Sequence, residues 1–450
     1  MNNKNQTFKK ITGKNLNEFS KNFNKTRTNK VLKNVNTKGN FNNLLIKSDY
    51  LQNKKHTFKK YIDVETVITD QKNTGRCWIF AFLNVIRIPM IKKYKLKQFE
   101  FSQNYLFFYD KLEKANFFLN YMIKNKNTDL SDLKMIHVLD NLTNDGGQWN
   151  AFVNLIEKYG IIPKTNMDDH FHSKNSKDLN QFYNDFLRTA AFEIKNNKSN
   201  DFTKLKNNLL SKCYKILVLF LGEPPKKITW EYYKTEKNKK TYKSIENITP
   251  LEFYKKYVPY KAADKICLMN YPCKNIPYYK LYNIDLGFNV YEGKLQNYIN
   301  VPCEIMIDAI KKSIESNEAI WTGIDSGKFI STKHGILDIN AFNYNDIFGF
   351  DNIMNKCDSI NYRQSAPNHA VIIKGYNFDN GKTNGFLIEN SWGKNSGFSG
   401  NYFMHIDWFN HFTFEVVVDK KCVSKKVLSV LNKKPILLPY FSPFGSVLSN

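Results

Sequence analysis

Cys77 lies six residues after Gln71, in Gln71-Lys-Asn-Thr-Gly-Arg-Cys77-Trp78, and is followed by a dense apolar run, Ile79-Phe-Ala-Phe-Leu83. Acyl transfer by a cysteine needs a thiolate, a base beside it and donors aimed at the developing oxyanion. A thiolate in the first turn of a helix is stabilised by free backbone amides and by the helix dipole. From six residues upstream, a glutamine reaches back across the turn and offers its side-chain NH2 beside the Cys77 N–H. A single cysteine is ordinarily a small buried hydrophobe. The coincidence of a glycine-containing turn, a helix start and an upstream amide sets Cys77 apart.

A base is expected far downstream. His369 opens the strand-like run His369-Ala-Val-Ile-Ile-Lys-Gly375, and Asn390 follows the next run, Gly385-Phe-Leu-Ile-Glu389, at 390 − 369 = 21 residues. Paired as neighbouring antiparallel strands, these runs bring the Asn390 carbonyl to the ring N–H of His369. Such a contact fixes the tautomer and holds the ring facing Cys77. Trp392 can cover that hydrogen bond from water, and a low local dielectric strengthens it.

Several elements position these residues. The apolar density of Cys77–Arg87 predicts a buried helix that kinks or ends at Pro89, because proline removes a backbone donor. Ser102 is an N-cap candidate for a helix whose apolar face carries Tyr105, Phe108, Tyr109 and Leu112. Trp149, Phe152, Val153 and Ile156 share one face of a further helix, and Gly160 stands at its expected C-terminal cap. Thr249-Pro-Leu-Glu252 is a capping box with proline at the first helical position. From about residue 321 strand-like runs dominate, including Phe414-Glu-Val-Val-Val418. The tail, Pro435 to Gly445, holds three prolines and is expected to be extended.

The chain has 450 residues, 42% of them hydrophobic and 15% aromatic, which excludes a disordered protein and allows two or three structural units. Its formal charge of +26 accompanies a lysine- and asparagine-rich composition throughout, so bias is the plainer reading and a nucleic-acid-attracting surface the sharper one. Seven cysteines, at 77, 213, 267, 273, 303, 357 and 422, include no CxxC pair and do not read as a disulfide framework; a reducing compartment is the expected home. The start lacks the apolar run of a signal peptide, and Ile216–Leu221 is too short to span a membrane. Asp168-Asp-His-Phe-His172 has no metal-ligand spacing and reads as a solvated polar loop.

In order and type, Gln71, Cys77-Trp78, His369 and Asn390-Ser-Trp-Gly393 resemble the papain superfamily. Gly75-Arg-Cys-Trp-Ile-Phe80, Phe101-Ser-Gln-Asn-Tyr-Leu-Phe-Phe108, Asn144-Asp-Gly-Gly-Gln-Trp149, Thr229-Trp-Glu-Tyr232, Ile248-Thr-Pro-Leu-Glu-Phe-Tyr254, Glu389-Asn-Ser-Trp-Gly393 and Glu415-Val-Val-Val-Asp419 resemble its bleomycin hydrolase/aminopeptidase C branch, from about residue 60 onward. The Cys-to-His gap, 369 − 77 = 292 residues, exceeds the roughly 130–150 of papain-like enzymes and requires a large insertion.

The resemblance implies an α+β fold, with a papain-like core of a helical half and a β-barrel-like half, and a large mainly helical insertion. The expected segments are a basic arm (1–60), a Cys-bearing helical half (61–165), the insertion used in oligomerisation (166–320), a His/Asn-bearing β half (321–435) and a C-terminal arm lying in the cleft (436–450). It implies a cytoplasmic cysteine aminopeptidase acting on peptides through a thioester acyl-enzyme, assembled as a homohexamer, with no metal or organic cofactor. Cys77 attacks, His369 carries the proton, Asn390 orients the ring, Gln71 binds the oxyanion and Trp392 shields the site. Gly146 and Gly147 would present backbone to the substrate, although the same glycines also serve a simple turn. The carboxylate of Asn450 would pair with the substrate amino group; the tail is one residue longer than the family's usual one, which leaves open whether Asn450 is trimmed. Two alternatives remain: an endopeptidase with the arm displaced, and a catalytically idle basic scaffold binding nucleic acid weakly and without specificity.

Overall fold

The computed structural model describes residues 10–445 apart from 38, 40, 53–55, 200, 238 and 288. Two compact units emerge: the described part of Met1–Lys54 with Ile339–Ile353, and Lys55–Asp338 with Met354–Asn450. In the smaller unit, the Asn/Lys-rich start is helical over Gly13–Lys25 and Arg27–Asn36. Thr12 starts the first helix through a reciprocal capping box with Asn15, which satisfies two otherwise orphaned backbone donors. An antiparallel bridge joins Ile46 to Phe342 within this unit.

In the larger unit, helices Cys77–Tyr94, Gln103–Lys124, Trp149–Tyr159, Lys177–Asn196 and Thr203–Leu221 accompany a twelve-stranded sheet. The expected caps form. Ser102 accepts from the Tyr105 N–H, and Thr249 and Glu252 cap Pro250–Tyr257 reciprocally. Gly160 ends Trp149–Tyr159 at φ +73°, and a Cβ there would lie 2.2 Å from the Pro250 carbonyl oxygen. Glycine is therefore demanded twice, by conformation and by close approach.

The cysteine helix does not end at Pro89; it continues to Tyr94 with the proline inside. Fourteen of its side chains are buried. At roughly 1.5–3 kcal/mol for each large apolar group buried, packing outweighs the roughly 3 kcal/mol that an interior proline costs.

The central part of the sheet carries, side by side, Lys265–Met269, Thr413–Asp419, Ile320–Ile324, His369–Asp379, Lys382–Glu389 and Asn401–His405. The strands His369–Asp379 and Lys382–Glu389 form an antiparallel hairpin, in which Ile372 faces Glu389. Strands of this sheet therefore appear well before residue 321, inside a region expected to be mainly helical. Lys265–Met269, Leu281–Ile284 and Tyr298–Asn300 are only three to five residues long and buried almost throughout, so they lack the alternation that marks a half-buried strand.

Cys273 and Cys357 form a disulfide across 84 residues, where no disulfide was expected from the cysteine count. Spacing alone does not reveal which cysteines the tertiary fold brings together. No helix among the described residues is long and apolar enough to cross a membrane.

The sheet interior holds a carboxyl group, Glu415, with no cation partner among the described residues. It is fully buried, and the Cys267 thiol donates to its Oε2 at 3.3 Å. Burial pushes this carboxyl up to about 8, from an ordinary 4.5. The folded state therefore holds the protonated form. Its stabilisation is complete below 4.5 and is lost as pH rises through about 8. Glu415→Gln should flatten the decline in Tm between about pH 5 and about pH 9, as thermal unfolding would reveal. An unchanged decline in the variant would assign the pH dependence to other groups.

Candidate active site

Cys77 is the first residue of its helix, after Arg76 as N-cap, and is buried. Its thiol donates to the Gly75 carbonyl at 3.9 Å and faces the backbone N–H groups of Ala370, Trp78 and Cys77 itself. Ala370 directly follows His369. The sulfur near the front of the chain thus meets the start of the histidine strand.

On that strand, His369 Nε2 lies 2.8 Å from Asn390 Oδ1. The strand hairpin sets this contact, since Asn390 immediately follows the second strand and His369 begins the first. Asn390 Oδ1 also accepts from the Ser391 N–H at 2.8 Å, which fixes the amide with its oxygen toward the imidazole. The Trp392 ring stacks on His369 with centroids 4.8 Å apart. His369, Asn390, Ser391 and Cys77 are all buried.

Gln71 is joined to the same segment by backbone and side chain. Its N–H donates to the Ser391 carbonyl at 2.8 Å, and the Gly393 N–H donates to Thr69 at 3.0 Å. Ser391 Oγ donates to Gln71 Oε1 at 2.7 Å, while Gln71 Nε2 donates to the Thr74 carbonyl at 2.7 Å. These bonds define which end of the amide is NH2. One N–H serves the loop, and the amide has a second N–H to offer.

Asp145 ties the Cys77 loop to the Gly146-Gly147 segment. Its Oδ2 accepts from the Gly75 N–H at 3.1 Å, its carbonyl accepts from Trp78 Nε1 at 2.7 Å, and its carboxylate pairs with Lys111 at 2.7 Å. Burial opposes this charge, but Lys111, Ser176 and Asn180 outweigh it and hold the carboxyl well below its ordinary range. Gly147 packs directly on Trp78: a Cβ there would lie 2.7 Å from the indole. A cavity of about 400 Å³ runs along Gly146 and Gly147 and is walled on its other side by Tyr440, Phe441 and Phe444 of the tail. A second, polar hollow of about 590 Å³ lies against Gln71, Gly75, Asn144 and Trp392. Asn450 lies outside the described residues.

Two features escape the sequence reading. Asp145 stands in sequence only as a neighbour of the glycines, because no sequence signal distinguishes a buried hub from a polar turn residue. Asp169 falls within the run expected to be a solvated loop, yet its side chain is only 5% exposed and pairs with Arg76 at 2.8 Å, bracing the residue before Cys77. Arg76 is itself fully buried and requires a counter-charge. Asp168, its neighbour, is exposed as expected.

Burial pushes the Cys77 thiol up to about 12 against the pull of the Ala370, Trp78 and Cys77 amides, and it pulls the His369 ring down to about 4. Either charge alone is costly in this site. A proton passing from sulfur to ring would create both charges together, and their attraction would offset the loss of hydration. Such a transfer would be internal and would persist until the ring takes a proton from solvent. Alkylation of Cys77 by iodoacetamide should hold its neutral-pH rate well below pH 6.5 and collapse only as pH nears 4. A rate that rises only above roughly 8.5, as for an isolated thiol, would contradict the pairing.

The sequence pattern of the Peptidase C1-like family matches residues 10–445. Rat (Rattus norvegicus) bleomycin hydrolase is 35% identical over 431 residues, covering 93% of this chain and 94% of the relative. Aminopeptidase C of Listeria monocytogenes is 37% identical over 382 residues, covering 84% and 86%. The crystal structure of PepW from Lactobacillus rhamnosis superposes with a TM-score of 0.92 at 32% identity, over 97% of this chain and 99% of that one. With such coverage at both the sequence and the fold level, this chain belongs to the Peptidase C1-like family, among the bleomycin hydrolases and aminopeptidases C, and is a cysteine peptidase.

Proposed function

We propose that this peptidase is an aminopeptidase that removes N-terminal residues from peptides through a thioester acyl-enzyme. Cys77 is the nucleophile. Its sulfur attacks the scissile carbonyl as His369 receives the thiol proton; the developing oxyanion is held by the Cys77 N–H and the second N–H of Gln71. His369 then protonates the leaving amine, the C–N bond breaks and the thioester remains. Water, deprotonated by His369, attacks the thioester, and the sulfur leaves as the ring returns its proton. Asn390 keeps the ring aligned throughout, and Trp392 keeps water from their hydrogen bond.

The exopeptidase assignment is carried by the tail. Ile436–Leu438 pairs with Leu281–Ile284 as an edge strand, and the Arg363 guanidinium donates to the Phe441 carbonyl at 2.7 Å. The chain thus runs along the cavity that borders Gly146 and Gly147. A tail seated there leaves little room for peptide beyond the terminal residue, and the carboxylate of Asn450 is the natural partner of a substrate ammonium. The relatives named aminopeptidase C support the same reading.

The same reading takes the core as a helical part (61–165) and a β part (321–435) whose sheet is extended by Lys265–Met269, Leu281–Ile284 and Tyr298–Asn300 from the segment 166–320, with the basic arm (1–60) and the C-terminal arm (436–450) as further segments. It places the enzyme in the cytoplasm as a homohexamer, with weak nucleic-acid binding through its +26 charge. Full retention of Gln71, Cys77, His369 and Asn390 disfavours an idle scaffold, which has no physical need for all four.

Cys77→Ala should abolish peptide turnover and leave assembly unchanged, as measured by kinetics and by sedimentation; full activity in the variant would remove Cys77 from the mechanism. Paired substrates with free and acetylated N-termini test the tail. The free form should be cleaved and the acetylated form spared, whereas comparable cleavage of both would make the enzyme an endopeptidase.

A further inference from the structure

The segment Thr143–Gly147 has its carbonyls taken almost in succession by buried cations and an indole. Lys111 Nζ, on the Gln103–Lys124 helix, donates to the Thr143 carbonyl. One turn further on, Lys114 Nζ donates to the Asn144 carbonyl at 2.8 Å and to the Gly146 carbonyl at 2.6 Å. Between them, the Asp145 carbonyl is held by Trp78 Nε1. The Gly147 N–H and carbonyl are in no hydrogen bond among the described residues. Lys114 is 7% exposed, lines the 400 Å³ cavity beside Gly146 and Gly147, and lies 5.7 Å from the centre of the Trp78 ring. Its charge is matched by Asp110 at 2.7 Å, one helical turn back.

We propose that Lys114 is the positioning residue of the peptide-binding edge: by holding the Asn144 and Gly146 carbonyls turned inward, it leaves the Gly147 N–H and carbonyl facing the cavity to pair with the substrate backbone. The proposal rests on the reading of Gly146-Gly147 as the substrate-facing segment. A buried ammonium suits this task because its three donors hold two carbonyls and one carboxylate at once. Trp78 underneath prevents the segment from sinking, and Lys114 prevents it from rotating. Lys111 performs the corresponding role one residue earlier, but it is fully buried against Asp145 and does not reach the cavity.

The test compares Lys114→Met and Lys114→Arg with the unmodified full-length enzyme. Methionine keeps the length and removes the donors. Asp110, whose carboxyl burial already pushes above its ordinary range, can take up a proton when the ammonium is gone. Lys114→Met should raise KM for unblocked peptides by about 10-fold or more, the effect of losing charge-assisted hydrogen bonds, with kcat altered less than about 3-fold. Alkylation of Cys77 by iodoacetamide, which has no peptide backbone to place, should stay within about 2-fold, and Lys114→Arg should restore part of the KM. Unchanged KM, or kcat and alkylation falling as KM rises, would overturn the proposal. If Lys114→Met does not fold, the double variant Asp110→Asn/Lys114→Met removes both charges and is judged by the same readouts. Failure of the aminopeptidase reading would appear separately, in the unmodified enzyme, as absent turnover or as equal cleavage of acetylated substrates.

Discussion

A buried ion pair, Arg87 with Glu389, is the contact on which the site depends. The two atoms lie 2.6 Å apart and both side chains are about 1% exposed. Arg87 stands on the cysteine helix and Glu389 directly precedes Asn390, so the pair fixes the thiol-bearing helix against the hairpin that carries the imidazole and its amide. Lys374 at 2.9 Å and the Thr66 hydroxyl at 2.9 Å occupy the other carboxylate oxygen. Burial raises the cost of the Glu389 charge, but the two cations outweigh it and keep the carboxyl below its ordinary range. A pair so dry contributes little net stability compared with apolar packing. Removing one partner, however, leaves a stranded charge at a cost of about 3–5 kcal/mol. Its effect is therefore to disallow other arrangements of the helix on the sheet.

Around that contact the site is assembled from polar groups that each serve two segments. Ser391 offers its carbonyl to the Gln71 backbone and its hydroxyl to the Gln71 side chain, so Gln71 and the histidine's partner share one strand of hydrogen bonds. Asp145 binds the Gly75 N–H with its side chain and Trp78 with its main chain, so the cysteine loop and the glycine segment cannot shift independently. Preorganisation of this kind matters because charge develops in the reaction faster than a protein can rearrange. Donors already aimed at the oxyanion cost nothing at that moment.

The same burial that makes these contacts strict also governs the protonation of the reacting pair. A thiol pushed up and an imidazole pulled down by burial are each reluctant to ionise alone. The Trp392 ring stacks on the imidazole. Lysines 111 and 114 follow a similar logic: embedded beneath the glycine segment, they act through backbone carbonyls, at short range and without competition from solvent.

What the chain alone determined was local chemistry. Residue type and short spacing singled out Gln71, Cys77, His369 and Asn390 as candidates, because a helix start, a turn and two strand-like runs leave marks within a dozen residues. The caps at Ser102, Thr249 and Gly160 were legible for the same reason. Only the tertiary structure decided that Arg87 meets Glu389, that Asp145 is a hub, that Asp169 pairs with Arg76 and that Cys273 reaches Cys357. Each of those partnerships spans from about seventy to about three hundred residues, and an aspartate destined for a buried ion pair looks, in a single sequence, like one destined for water. The short strands between residues 265 and 300 were hidden because burial on both faces removes the alternating pattern by which a strand is read. Pro89 likewise failed to end its helix because the burial of its neighbours, a property of the whole fold, outweighed a local preference.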